Sequence, residues 1–194
     1  MARLKAAQRR EQLINVATKL FAKTGYDATT TADIAKAAGV TEPILYRHFE
    51  SKQELFVAIV RDVSATTMKG WNDLIAGVSD PAEKIRRVSQ AIPDHIKKFG
   101  DSYHVLHGAL STSRDKKVLA VMKEHYRQIE DFFARIVSEG QKSGAFNKSI
   151  SPQAAAWQFC MSGIGYAMIS LNLGMIDRGI VNQVIDAMLR GLKN

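Results

Sequence analysis

Apolar positions recur every three or four residues along the whole chain. No long run alternates apolar with polar, so the pattern predicts helices throughout and an all-α fold. Leu13, Val16, Ala17, Leu20 and Phe21 form the stripe of a first helix, which Gly25 ends as a left-handed cap. Thr30 opens a short second helix, with Asp33 completing a capping pair, and Gly39 stops it. Thr41 caps a third that runs to about His48, and the capping box Ser51-Lys52-Gln53-Glu54 opens a long fourth. Gly70 and Gly77 interrupt the pattern, and Asp80-Pro81 with Glu83 restarts it as cap, first-turn proline and acidic first turn. Pro93 is expected to kink or split the next helix. Lys97 and Lys98 precede Gly100, as cations prefer at a helix C-terminus. A long helix then spans about Asp115 to Ser143, closed by Gly144. Ser151-Pro152 opens another, ended by Gly174, and a last one covers about Arg178 to Leu192. The reading is about nine helices in two domains, residues 1–70 and 71–194.

Composition narrows the chemistry. With 46% hydrophobic and 24% charged residues the 194-residue chain is an ordinary folded one. Its single cysteine, Cys160, excludes an internal disulfide framework and a cysteine-based zinc site. His104 and His107 stand three apart without carboxylate or thiolate companions at fixed spacing, so no metal is expected. The chain has no glycine-rich phosphate loop, serine nucleophile elbow or HExxH motif, which argues against an enzyme and against a cofactor.

The net charge of +8 favours an anionic partner. Residues 1–60 carry nine Lys or Arg against six Asp or Glu, so the excess is spread over the chain. The one local concentration is Arg3, Lys5, Arg9 and Arg10, readable as a DNA-touching arm or as a solvated, frayed end. The first residues lack an apolar leader segment, and a cytoplasmic location is expected. Residues 149–176 carry no charge and are long enough to span a bilayer. Gln153, Gln158, Ser162, Ser170 and Asn172 within that stretch favour a buried or oligomer-forming helix, so no membrane partner is expected.

The strongest functional signal lies between Thr30 and Lys52. Two short helices joined by Gly39-Val40-Thr41 are a helix-turn-helix pattern. Ala35 supplies the small residue that a close helix crossing needs, and Gly39 the left-handed turn. Ile34, Ala38, Val40, Leu45 and Phe49 are spaced to face inward, with Leu20 and Phe21 as a third wall. Glu42, Pro43, Ile44, Arg47 and His48 are then left facing outward, with Tyr46 beside them. A helix of that width fits the major groove. Thr31, Tyr46 and Lys52 carry groups suited to phosphate. Glu42 reads equally as an acceptor for cytosine N4 or as a first-turn acid on the helix dipole.

Residues 10–59 resemble the DNA-binding domain of the TetR family of bacterial transcriptional regulators. The match is carried by Leu20-Phe21 with Gly25, Thr31-Ala32-Asp33-Ile34-Ala35 and Ala38-Gly39-Val40-Thr41. Leu45-Tyr46-Arg47-His48-Phe49 and Ser51-Lys52-Gln53-Glu54-Leu55 complete it. The resemblance implies an N-terminal three-helix DNA reader and a C-terminal domain that binds an effector and dimerises. It places DNA contacts at Thr31, Thr41, Glu42, Pro43, Ile44, Tyr46, His48 and Lys52, with Arg47 at a variable position. Ala32 departs from members with a basic residue there, which throws more of the readout onto the third helix.

In the C-terminal part, Trp157, Met161, Ile164 and Met168 repeat at helical spacing, as do Val181, Val184, Ile185 and Met188. A second apolar face on the same helix calls for two partners, one of them a second subunit, so these eight residues are expected at a homodimer interface. By analogy with the family, His107, Met122, Tyr126, Phe159, Cys160 and Tyr166 are expected around a small apolar effector. The function read from the sequence is a sequence-specific regulator, a repressor released from a palindromic double-stranded DNA operator by that effector. The rival reading is an all-helical carrier of lipophilic ligands, or an enzyme, without regulatory DNA binding.

Overall fold

The computed structural model describes residues 5–175 and 177–193. Among these are nine helices and no strand. They are α1 (Ala6–Thr24), α2 (Thr31–Ala37), α3 (Glu42–Tyr46), α4 (Lys52–Ile75), α5 (Pro81–Lys98), α6 (Gly100–Thr112), α7 (Lys116–Ser143), α8 (Pro152–Leu173) and α9 (Arg178–Gly191). Two compact units emerge, one of residues 1–63 and 101–123, the other of 64–100 and 124–194. Helices α4 and α7 each contribute to both.

Several start and stop signals work locally as the sequence predicts, though Thr41 stands before α3 without a side-chain cap bond. Thr30 Oγ1 accepts from Asp33 N, and Asp33 Oδ2 accepts in return from Thr30 N at 3.0 Å. Asp80 caps α5 and Ser151 caps α8. Asp115 caps α7 by accepting from Lys117 N and Val118 N. Gly174 ends α8 in the left-handed conformation. Gly25 has a positive φ of 83°, but its ψ of 158° lies outside the left-handed helical region expected of it. Gly70 does not interrupt α4, which runs on to Ile75. Pro93 does not split α5 either: the helix continues to Lys98 and the break falls at Phe99, ahead of α6.

The core of the first unit is Leu13, Ile14, Ala17 and Phe21 of α1 packed with Ile34, Ala35, Ala38, Leu45, Phe49 and Leu55. Val16 and Leu20 are only half-buried, so the stripe of α1 is turned toward Ile14. Phe21, Tyr26 and Phe56 form an aromatic cluster with ring centroids 5.2 to 6.3 Å apart. The second unit is centred on Trp71, Ile85, Val88, Phe132, Phe133, Val137, Phe146 and Phe159, with Ile185 and Leu189 of α9 closing it.

Candidate nucleic-acid interface

Three features aim α3. Gly39 adopts φ +67°, which reverses the chain between α2 and α3. Leu45 and Phe49 are fully buried, so one side of the recognition segment is turned inward, as are Ile34 and Ala35 of α2. Gln12 Nε2 of α1 donates to the Ala38 carbonyl at 3.2 Å and ties the turn to the first helix. The opposite side is thereby turned outward: Thr41, Pro43, Tyr46 and Arg47 are exposed, and Glu42, Ile44 and His48 half-buried. The regular helix is shorter than expected and ends at Tyr46, with Arg47 as its cap and His48 and Phe49 in the following turn.

Several expected contact residues already hold partners. Thr31 Oγ1 donates to Glu42 Oε1 at 2.7 Å and lies 3.1 Å from the Tyr46 hydroxyl. Glu42 is therefore neither a loose first-turn acid nor a wholly free acceptor. Lys52 departs further from a free phosphate ligand. Its ammonium donates to the carbonyls of Tyr26 (2.8 Å), Thr29 (2.9 Å) and Asp27 (3.3 Å), and lies 4.5 Å from the centre of the Tyr26 ring. An ammonium has three hydrogens and all three are used, so Lys52 secures the α1–α2 turn.

The basic start of the chain is largely helical. Lys5 caps α1, Arg9 donates to Gln12 Oε1 at 2.5 Å, and Arg10 lies 5.0 Å over the Phe49 ring. Arg3 lies outside the described residues. Gln12 and the Arg10–Phe49 stacking escape sequence reading, because both depend on how α1 crosses the motif.

The residues expected around an effector divide between the two units. His107 and Met122 belong to the first. Met122 is fully buried there, and His107 is half-buried, with burial and then His104 holding its pKa below 6.5. In the second unit Phe159 stacks on Phe133 at 5.3 Å, and Tyr126 packs edge-on against His125. Cys160 is buried, with its thiol pushed up to about 11 by that burial, which makes it an inert core residue. What does gather there is an open cleft of about 240 Å³ among α5, α8 and α9. Phe159 and Tyr166 line it, together with Ser89, Ile92 and Ile180, three residues that the sequence reading assigned to no ligand. Tyr126 and Cys160 do not line it.

Of the expected dimer residues, Trp157, Met161, Met168 and Val184 are exposed, with Met161 at 59%. Ile164, Val181 and Met188 are half-buried against the unit's own core. Ile185 is a correction: it is 4% exposed, because its turn of α9 faces inward. Leu173, Met175 and Ile180 extend the exposed apolar surface. No described helix is long and apolar enough to cross a membrane, and the described residues hold no cluster of three or more metal-ligating side chains.

A glycine-turned helix pair with one side buried and the other presented defines a DNA-binding helix-turn-helix protein. Residues 13–59 match the family described as bacterial regulatory proteins, tetR family. The fatty acid degradation regulator FadR from Bacillus halodurans has the same fold, with a TM-score of 0.84 at 17% identity over 96% of this chain and 97% of that one. The HTH-type transcriptional activator FasR of Mycolicibacterium smegmatis is 32% identical over 104 residues, 54% of this chain and 48% of that protein. The chain thus spans about half the length of that relative. The HTH-type transcriptional repressor KstR2 of the same organism is 24% identical over 74% of this chain and 70% of its own length. Residues 13–59 are thus a DNA-binding domain of the tetR kind, and regulation of transcription through DNA binding is the function that these likenesses support.

Proposed function

We propose that the chain is a homodimeric repressor that leaves a palindromic operator when a small apolar effector binds. The observation that carries the reading is the outward edge of the α3 segment, where Tyr46 and Arg47 are exposed and Glu42 and Ile44 half-buried while Leu45 and Phe49 lock the helix from behind. Thr31, Thr41, Pro43 and His48 flank that edge.

A dimer would set two such edges in successive major grooves, about 34–36 Å apart on one face of the duplex. The apolar surface of α8 and α9 supports the pairing, since monomers rarely leave so much large apolar side chain in water. The cleft among α5, α8 and α9 supports an apolar effector: apart from Ser89, Ser162 and Tyr166, the residues that line it are apolar or glycine. A structural neighbour named for fatty acid degradation and another, KstR2 of Mycobacterium tuberculosis, named a ketosteroid transcriptional regulator make acyl and steroid compounds the first effectors to try. Effector binding would favour a state with a different spacing between readers and so lower DNA affinity. The protein works by binding, in the cytoplasm where the operator lies.

The test is selection from a random duplex pool, followed by gel shift on the selected site. The reading requires a short palindrome, a complex of two chains per duplex, and release by one of the apolar compounds. Uniform binding to all duplexes would sink it.

A further inference from the structure

This inference rests on the DNA-reading role proposed above and names what one part of the reader selects. Thr31 opens α2 and Glu42 opens α3, and the Thr31 hydroxyl stands between Glu42 Oε1 at 2.7 Å and the Tyr46 hydroxyl at 3.1 Å. A threonine hydroxyl has one hydrogen, and a carboxylate oxygen can only accept. That hydrogen therefore goes to Glu42. In the second contact Tyr46 must be the donor and Thr31 the acceptor. The direction of the relay is fixed, from Tyr46 through Thr31 to Glu42.

The carboxylate is thus held at one oxygen, while Oε2 takes no hydrogen bond from any described residue. We infer that Glu42, oriented by Thr31, reads cytosine in the major groove. Only cytosine N4 and adenine N6 offer amino donors on that edge. Adenine places its N7 lone pair beside the amino group, where it repels a second acceptor, whereas cytosine places a C–H there. Guanine and thymine show acceptors to the same position and are rejected. The negative charge also repels the phosphate backbone, so Glu42 lowers affinity for unmatched DNA and sharpens discrimination. Thr31 is a positioning residue. It occupies one carboxylate oxygen, which gives the other a direction.

The experiment compares sequences selected from a random duplex pool by the full-length protein and by Glu42→Gln, Glu42→Ala, Thr31→Val and Thr31→Ser, at one salt concentration. Glu42→Gln keeps the size of the side chain and an acceptor for Thr31, and melting curves confirm that each variant is folded. The wild type should prefer cytosine about 10-fold at one mirrored position of each half-site. Glu42→Gln should move that position to adenine, because a carboxamide can donate to N7 while accepting from N6. Glu42→Ala should lose the preference there alone and bind random duplex more tightly. Thr31→Val should weaken the preference and Thr31→Ser restore it, whereas a merely structural threonine would affect all positions together. A wild-type motif that survives unchanged in both Glu42 variants overturns the inference while leaving the DNA-reading role intact. A position that follows Glu42 but is not cytosine overturns the base assignment, and indifference to Thr31→Val overturns its positioning part. Failure of the wild type to select any motif overturns the DNA-reading role and the inference with it.

Discussion

Lys52 shows how a single residue can be typed correctly and still act elsewhere. It opens α4 beside the recognition segment, yet its three hydrogens go to the carbonyls of Tyr26, Asp27 and Thr29. Lys52→Met would keep the aliphatic stem and abandon those carbonyls. The expected loss is about 1–3 kcal/mol in urea unfolding, with weaker binding to all duplexes alike. Unchanged stability would mean that the ammonium is not the anchor of the turn. Gly140 is the opposite case, a residue that gives no sign in the sequence. A Cβ there would overlap the ring of Phe146, which is 1% exposed. Gly140→Ala should cost about 1–3 kcal/mol in the same measurement through overpacking. Gly144, four residues on, was legible as a helix stop because its role is local. Gly140 was not, because its role is set by a ring folded back from beyond the helix end.

At the scale of elements, the same division decides what the sequence could show. Caps, first-turn prolines and the Gly39 turn depend on neighbours within four residues, and they fall where the pattern puts them. The outward edge of α3 was legible for the same reason, since helical spacing sorts Leu45 and Phe49 from Glu42, Pro43 and Arg47. The Tyr46–Thr31–Glu42 relay was not, because it joins positions eleven and fifteen apart through a helix crossing. Pro93 misleads for a related reason. It removes a donor from the Ser89 carbonyl, but packing of α5 against α8 and α9 carries the helix through. One residue of α5 also matters for pH. His95 Nε2 lies 3.2 Å from Thr67 Oγ1 of α4, and burial, then the charge of Lys98, holds its pKa below 6.5. The folded state therefore favours the neutral ring, while the unfolded chain takes up a proton near pH 6.5. Stability from this site is complete above that pH and is lost as pH falls toward the lower folded value. Melting curves at pH 8 and pH 5.5 should show a larger drop for the wild type than for His95→Gln. Equal drops would place the pH sensitivity in other groups.

At the scale of the whole molecule, the exposed apolar side chains of α8 and α9 can be tested as a pairing surface. Met161 and Val184 are 59% and 43% exposed, so a charge at either meets water in the single chain and costs it little. In a two-fold dimer built on this surface, each substitution appears twice and each charge must be desolvated against apolar neighbours. The double variant Met161→Glu, Val184→Glu should therefore keep its helicity and melting behaviour as a chain while dissociating. Sedimentation should give one chain per particle where the wild type gives two. On the mechanism proposed above, operator affinity draws on two readers held together, so the variant should also bind the selected palindrome no better than a single half-site. A variant that stays paired would move the interface off this face. A variant that becomes single yet still discriminates the full palindrome would show that the two edges do not act as one unit, and the spacing mechanism proposed for effector release would go with it.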